Sequence, residues 1–163
     1  MNLHLKEVLE TERTILKNLF SLYLHDLSSF TSNIDIGEDG SFEYDGIDEF
    51  WETEGLSPYF IISEKDIIGF ILLVERPFLK KDYDFGVNDL FVLNKYKGNG
   101  FGRQAIVELF KVKKGKYFVI ELVENSPAVS FWKKIYCEMN IQFEERQDVV
   151  DDDHCFIQTF IIG

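Results

Sequence analysis

The segment from Val87 to Arg103 constrains the fold most. It reads as a strand that enters a loop with Gly98, Gly100 and Gly102 at alternate positions, and the loop opens a helix. Strand, glycine loop and helix in that order point to an α/β layer structure. Glycines let backbone N–H groups approach a ligand with no Cβ in the way, and at a helix N-terminus those amides and the macrodipole suit a phosphate or pyrophosphate. A turn that merely needs positive φ angles would use the same glycines. A P-loop requires Lys then Ser or Thr after its last glycine, and Gly102-Arg103-Gln104 has neither. Gly100-Phe101-Gly102-Arg103-Gln104-Ala105 fits a relaxed dinucleotide fingerprint, with Glu121 about 20 residues beyond, where a ribose-binding acid would stand. Against a nucleotide-dependent oxidoreductase, Asn94 to Lys97 separate strand from glycines, and three strands that read as an antiparallel meander come before the loop.

Hydrophobic periodicity places the other elements. Leu3 to Val8 alternates as a first strand, and Thr11 reads as the N-cap of a helix carrying Ile15, Leu16, Leu19, Phe20, Tyr23, Leu27 and Phe30. Ile47, Phe50 and Trp51 suggest a second, short helix. Tyr59 to Ser63 and Ile67 to Glu75 read as strands joined by a polar turn, and Asp84 to Leu93 as a third. The helix after the glycine loop buries Ala105, Ile106, Leu109 and Phe110. Lys116 to Val123 is the next strand. Ser126 and Pro127 read as N-cap and N1 of a helix with Ala128, Phe131, Trp132, Ile135 and Met139 on its apolar face. Strands near Asn140 to Val149 and His154 to Ile162 complete the order β-α-α-β-β-β-α-β-α-β-β on a mixed sheet. No repeat or linker interrupts it, so residues 1–163 are expected to form one domain.

Charge limits the partners. Seventeen Lys and Arg against 29 Asp and Glu give a net charge of −12, which opposes nucleic acid and anionic membrane surfaces and favours a cationic small molecule or basic peptide. Between Lys17 and Lys65 there are eleven acidic residues and no Lys or Arg; the stretch from Asp35 to Glu54 could attract a cationic acceptor or be a solvated face. Lys6, Glu7, Glu10, Glu12 and Arg13 are foreign to a signal-peptide core, and Ile67 to Val74 is too short to span a membrane. Two cysteines without CxxC spacing fit a reducing compartment, and a cytoplasmic location is expected. Asp35 to Gly40 resembles the start of an EF-hand, but Gly37 occupies a ligand position and Gly46 stands where the closing Glu belongs. His4, His25 and His154 lack ligand spacing, so no metal site is expected.

Two separated motifs carry a resemblance that spans nearly the whole chain. Lys97-Gly98-Asn99-Gly100-Phe101-Gly102 is similar to the acetyl-CoA loop Q/R-x-x-G-x-G/A of the GCN5-related N-acetyltransferases (GNAT), with Lys97 for the usual Gln or Arg. Asn125, Ala128, Phe131 and Trp132 resemble the family's N-x-x-A-x-x-F-Y signature, with Trp in place of Tyr. Asp89 to Val92 stands where the family has its splayed fourth strand. An uncharacterised bacterial branch of the family is similar around Asn18 to Asp26.

The resemblance implies a GNAT fold whose two central parallel strands part at their C-terminal ends. It implies acetyl-CoA as co-substrate, with the pantetheine arm against Phe91, Val92 and Leu93 and near Asn125. The pyrophosphate would lie on Lys97, Gly98, Asn99, Gly100, Phe101, Gly102 and Arg103. Direct transfer to a primary amine follows, with a strand amide near Val92 or Leu93 facing the oxyanion. Asp89 is the candidate base. With Trp132 in the usual tyrosine position, Tyr136 is the substitute candidate for the acid. Tyr23, His25, Asp26 and Trp51 are candidates for the acceptor pocket, as the first two helices flank it in the family. A monomer or homodimer is expected. A rival reading is a non-catalytic acyl-CoA-binding sensor or interaction domain, motivated by Trp132.

Overall fold

The structure is a computed structural model describing residues 2–42 and 45–163; the part of the acidic stretch at residues 43 and 44 lies outside the described residues. The elements are β1 (Leu3–Glu7), α1 (Arg13–Leu27), α2 (Glu49–Glu52), β2 (Leu56–Ser63), β3 (Asp66–Glu75), β4 (Phe85–Val92), α3 (Phe101–Val112), β5 (Gly115–Leu122), α4 (Ser126–Glu138), β6 (Phe143–Val150) and β7 (Asp153–Ile162). Their order is the one the periodicity implies. The sheet runs β1-β2-β3-β4-β5-β7-β6, and every neighbouring pair is antiparallel except β4 and β5. No helix among the described residues is long and apolar enough to cross a membrane.

The sheet separates two cores, and β3 shows why its sequence is apolar throughout. Phe70 and Leu72 pack with Leu16, Phe20 and Phe50 on the side of α1 and α2. Ile71 and Leu73, one residue out of phase, pack with Ile106, Leu109 and Phe110 of α3 on the other side. A strand buried on both faces reads as a continuous apolar run rather than an alternation. Two caps differ from expectation. Thr11 lies within a 3-10 turn at Glu10–Glu12, where the Leu9 amide donates to Glu12 Oε1 at 3.0 Å, and α1 begins only at Arg13. Helix α4 is capped by Asn125, whose Oδ1 accepts from the Ala128 amide at 3.2 Å, so Ser126 is already its first residue.

The parallel pair positions the site. Strands β4 and β5 pair at Phe85↔Tyr117, Gly86↔Phe118 and Val87↔Val119, then part, although both continue to Val92 and Leu122. The parting coincides with a β-bulge. On β3, Leu72 and Leu73 are consecutive, yet their partners on β4 are Asp89 and Val87, so Asn88 is an extra residue. A bulge bends its strand and inverts the face that later residues present. Accordingly Val87 belongs to the core beneath α3 and α4 while Phe91, of the same parity, belongs to the core beneath α1.

Candidate active site

A cleft of about 910 Å³ opens where β4 and β5 diverge. Its walls come from the end of α1, the segment after it, the loop before α3, the start of α4 and the β6–β7 turn.

The loop before α3 has the geometry its glycines suggest. Gly98 and Gly100 have φ of +81° and +78°, and a Cβ on either would meet nothing within 4 Å. Both line the cleft, so the space that a side chain would occupy is open to a ligand. Gly100 is the left-handed N-cap of α3, and the first-turn amides of a helix have no intrahelical acceptor. Gly102 has a different reason to lack a side chain: a Cβ there would lie 3.1 Å from the Phe131 ring, so it permits α3 to approach α4. These features fit a pyrophosphate cradle on a 12-residue helix. Lys97 pairs with Asp26 at 3.2 Å, which ties this loop to the end of α1.

Most residues expected to bind the donor meet in this cleft. Phe91, Val92, Lys97, Phe101, Arg103 and Asn125 line it with the three glycines. Asn125 spends its carbonyl oxygen on the α4 cap, so its side chain can offer a ligand only the amide N–H groups. Leu93 and Asn99 do not line the cleft. The Leu93 amide donates to the Ile68 carbonyl at 2.8 Å, so of the two strand amides considered for an oxyanion only that of Val92, which alternates to the β5 side, is directed toward the gap. The Asn99 side chain donates to the Tyr96 and Lys97 carbonyls, each at 3.3 Å, and shapes the loop from behind.

Asp89 follows the bulge and faces α1. Its Oδ1 accepts from the Tyr23 hydroxyl at 2.6 Å and its Oδ2 from the Asn88 amide at 3.2 Å. Burial pushes its carboxyl up to about 6, and the two hydrogen bonds only partly oppose that shift. Tyr23 itself is wedged edge-on against Phe20, Phe70 and Phe91, with centroids 5.4 to 5.8 Å apart. Burial and the Asp89 charge hold its hydroxyl protonated. Tyr23 therefore lines the cleft but spends its polar atom orienting Asp89. His25 and Asp26 also line the cleft, His25 with its ring 5.7 Å from that of Phe42.

Two expectations need correction. Trp51 is not on the cleft: its Nε1 donates to the Val8 carbonyl at 3.1 Å and its ring stacks under Arg13 at 4.9 Å, on the far side of the α1 core. Tyr136 is 1 % exposed and does not line the cleft. Its hydroxyl donates to Gln158 Oε1 at 2.7 Å, and burial with the charge of Glu121 and Glu145 drives it far above the ordinary tyrosine range. It is a core residue, unsuited to give a proton at the cleft. Trp132 does line the cleft, as the resemblance places it.

In the sequence Glu121 stands out only as lying where the ribose-binding acid of a dinucleotide fold would stand, a fold the sequence itself argues against. It lines the cleft from β5, is 5 % exposed, and neither carboxyl oxygen has a hydrogen-bond partner among the described residues. The signal was present, since Tyr117, Val119 and Glu121 alternate onto one buried face and the third is charged.

A model of the acetyltransferase (GNAT) family matches residues 19–136. No curated protein sequence matches. Among solved structures, the chain is similar to an acetyltransferase from Thermus thermophilus (TM-score 0.69, 12% identity, covering 99% of this chain and 98% of that one). It is also similar to the PaiA N-acetyltransferase of Thermoplasma acidophilum in complex with coenzyme A (0.66, 17%, 99% and 99%). A third is a spermidine N-acetyltransferase SpeG chimera from Vibrio cholerae and hSSAT (0.63, 13%, 99% and 96%). At such identities these likenesses speak for the fold.

Proposed function

The chain belongs to the acetyltransferase (GNAT) family, and from that premise we propose that it moves an acetyl group from acetyl-CoA to a primary amine of a small cationic molecule. The observation that carries this reading is the joint placement, in one cleft, of the open glycine cradle at α3 and the Asp89 carboxyl beyond the Asn88 bulge. Bound acetyl-CoA would supply an activated thioester carbonyl. Gly98, Gly100 and the first turn of α3 would hold its pyrophosphate, and the parted edges of β4 and β5 would accept the pantetheine arm as an added strand.

The chain's own residues then do three things. Asp89, mostly ionised above about pH 6, takes a proton from the attacking nitrogen while Tyr23 and Asn88 hold its orientation. The Val92 amide offers a hydrogen bond to charge that develops on the carbonyl oxygen. Asp151 and Asp153 from the β6–β7 turn join Asp26 and Asp89 on the cleft wall, an acidic surround that favours an ammonium-bearing acceptor. Thr31 donates to Asp153 at 2.6 Å and Asn33 at 3.0 Å, so the segment after α1 is clamped against that turn and closes the acceptor end.

Trp132 and the buried Tyr136 favour one rival, an acyl-CoA-binding domain without turnover. Thiol release from acetyl-CoA decides between them, with spermidine and a basic peptide bearing a free N-terminus as acceptor probes. Amine-dependent release is expected, and strongest with the polyamine. Acetyl-CoA binding without release for any probe would overturn the enzyme reading and leave the binding domain.

A further inference from the structure

Strands β4 and β5 each carry a carboxyl residue just past the point where they part. The last pair is Val87↔Val119, and Asp89 and Glu121 both stand two residues beyond it. The bulge at Asn88 sends Asp89 to the α1 side. No bulge interrupts β5 against β7, so Glu121 keeps the phase of Tyr117 and Val119 and faces α4. One carboxyl thus flanks the gap on each face of the sheet. On the α4 side the residue at the usual tyrosine position is Trp132, and no tyrosine hydroxyl of α4 reaches the cleft, because Tyr136 is bonded to Gln158 in the core.

We infer that Glu121 is the group that protonates the departing CoA sulfur. The inference rests on the acetyltransferase reading above. As the N–C bond forms and the C–S bond breaks, the sulfur's electron pair takes the Glu121 proton and the nitrogen's proton passes to Asp89. Glu121 is then recharged from water, and Asp89 discharged to it, after the products leave.

Three features of its surroundings suit the role. Both oxygens are shielded, and among the described residues neither meets a hydrogen-bond partner at bonding geometry. Gln158 accepts from Tyr136 and donates one amide N–H to Glu145 Oε1 at 2.9 Å. The charged and titratable groups around Glu121 are Glu145 of β6, Lys133 and Tyr136 of α4 and Cys155 of β7. Burial and Glu145 outweigh Lys133 and Gln158 and push its carboxyl up to about 8, so it stays protonated at neutral pH. Asp89, with its carboxyl near 6, is ionised under the same conditions. Two carboxyls held in opposite protonation states across one reaction gap form an acid and base pair.

The test compares the natural protein with Glu121→Gln, which keeps the shape and loses the acid. Calorimetric titration with CoA from pH 7 to 9 reads the sulfur's neighbour without turnover. The natural protein is expected to lose about tenfold in affinity as Glu121 ionises against the sulfur, and Glu121→Gln to lose less. With spermidine as acceptor probe, Glu121→Gln is expected to lower kcat about 10²-fold or more and to abolish the alkaline fall of the pH profile. Glu121→Asp should recover part of both. The alkaline fall in the natural protein carries the same information should a variant fold poorly. Equal pH dependence of CoA affinity, with kcat unchanged, overturns the inference while leaving the acetyltransferase reading intact. A natural protein that binds no CoA at any pH refutes both.

Discussion

Replacing Glu121 with Leu should stabilise the protein by an amount that grows with pH. The folded protein holds this carboxyl up to about 8, against an ordinary value of 4.5. Its stability contribution therefore runs opposite to that of a salt-bridged acid. Well below pH 4.5 the group is neutral in both states and costs nothing. Between 4.5 and about 8 the unfolded chain ionises and the folded one does not, so unfolding is increasingly favoured; above that window both are charged and the penalty is constant. From pH 5.5 to 7.0, a span chosen to avoid the isoelectric region near 4.6, the penalty rises by at most about 2 kcal/mol at ~1.36 kcal/mol per pH unit. Packing differences between Leu and Glu are the same at both pH values and cancel from the comparison, as do the titrating groups that do not interact with Glu121. Urea unfolding of the two proteins at several pH values measures the difference directly. A Leu variant whose advantage stays flat from pH 5.5 to 7.0 would refute the claim that Glu121 is buried and protonated.

Other substitutions probe separate parts of the account. Asp89→Asn should leave CoA affinity unchanged, lower kcat about 10²-fold or more and remove the acid limb near pH 6 from the kcat/KM profile; activity within twofold of the natural protein would exclude Asp89 as the base. Tyr136→Phe should cost about 1 kcal/mol of stability through the lost bond to Gln158 and leave turnover alone, whereas a large fall in kcat at normal stability would return Tyr136 to the chemistry. Gly69→Ala should destabilise by about 1–3 kcal/mol, since its Cβ would lie 2.0 Å from the Phe91 carbonyl oxygen and force β3 away from β4; an unchanged melting temperature would contradict that packing.

The order of elements was legible because each buries one face or both, and burial leaves a period in the sequence. The glycine cradle was legible for a related reason: Gly98 and Gly100 need left-handed backbone, which few residues tolerate. What escaped depends on how strands register. Nothing in Val87-Asn88-Asp89-Leu90 announces that Asn88 is unpaired, and that single residue decides that Asp89 meets Tyr23 rather than α4. Tyr136 was misplaced because a helical repeat one turn beyond Trp132 does not say how far the helix descends into the core. Trp51 was misplaced because α2 is a single turn, with no period to show which way its ring points. Glu121 differs from an ordinary strand carboxylate because β5 buries that face against α4, and this burial pushes its carboxyl up.

The central claim is that the loop before α3 is a CoA site. Titration calorimetry at low salt with acetyl-CoA, and NADH as control, tests it most directly when the natural protein is compared with Gly100→Asp. The substitution puts bulk and negative charge into space that the structure leaves open beside the helix N-terminus. The account predicts binding of acetyl-CoA but not NADH by the natural protein, and loss of that binding in a folded Gly100→Asp variant. Equal acetyl-CoA affinity in both proteins would contradict it.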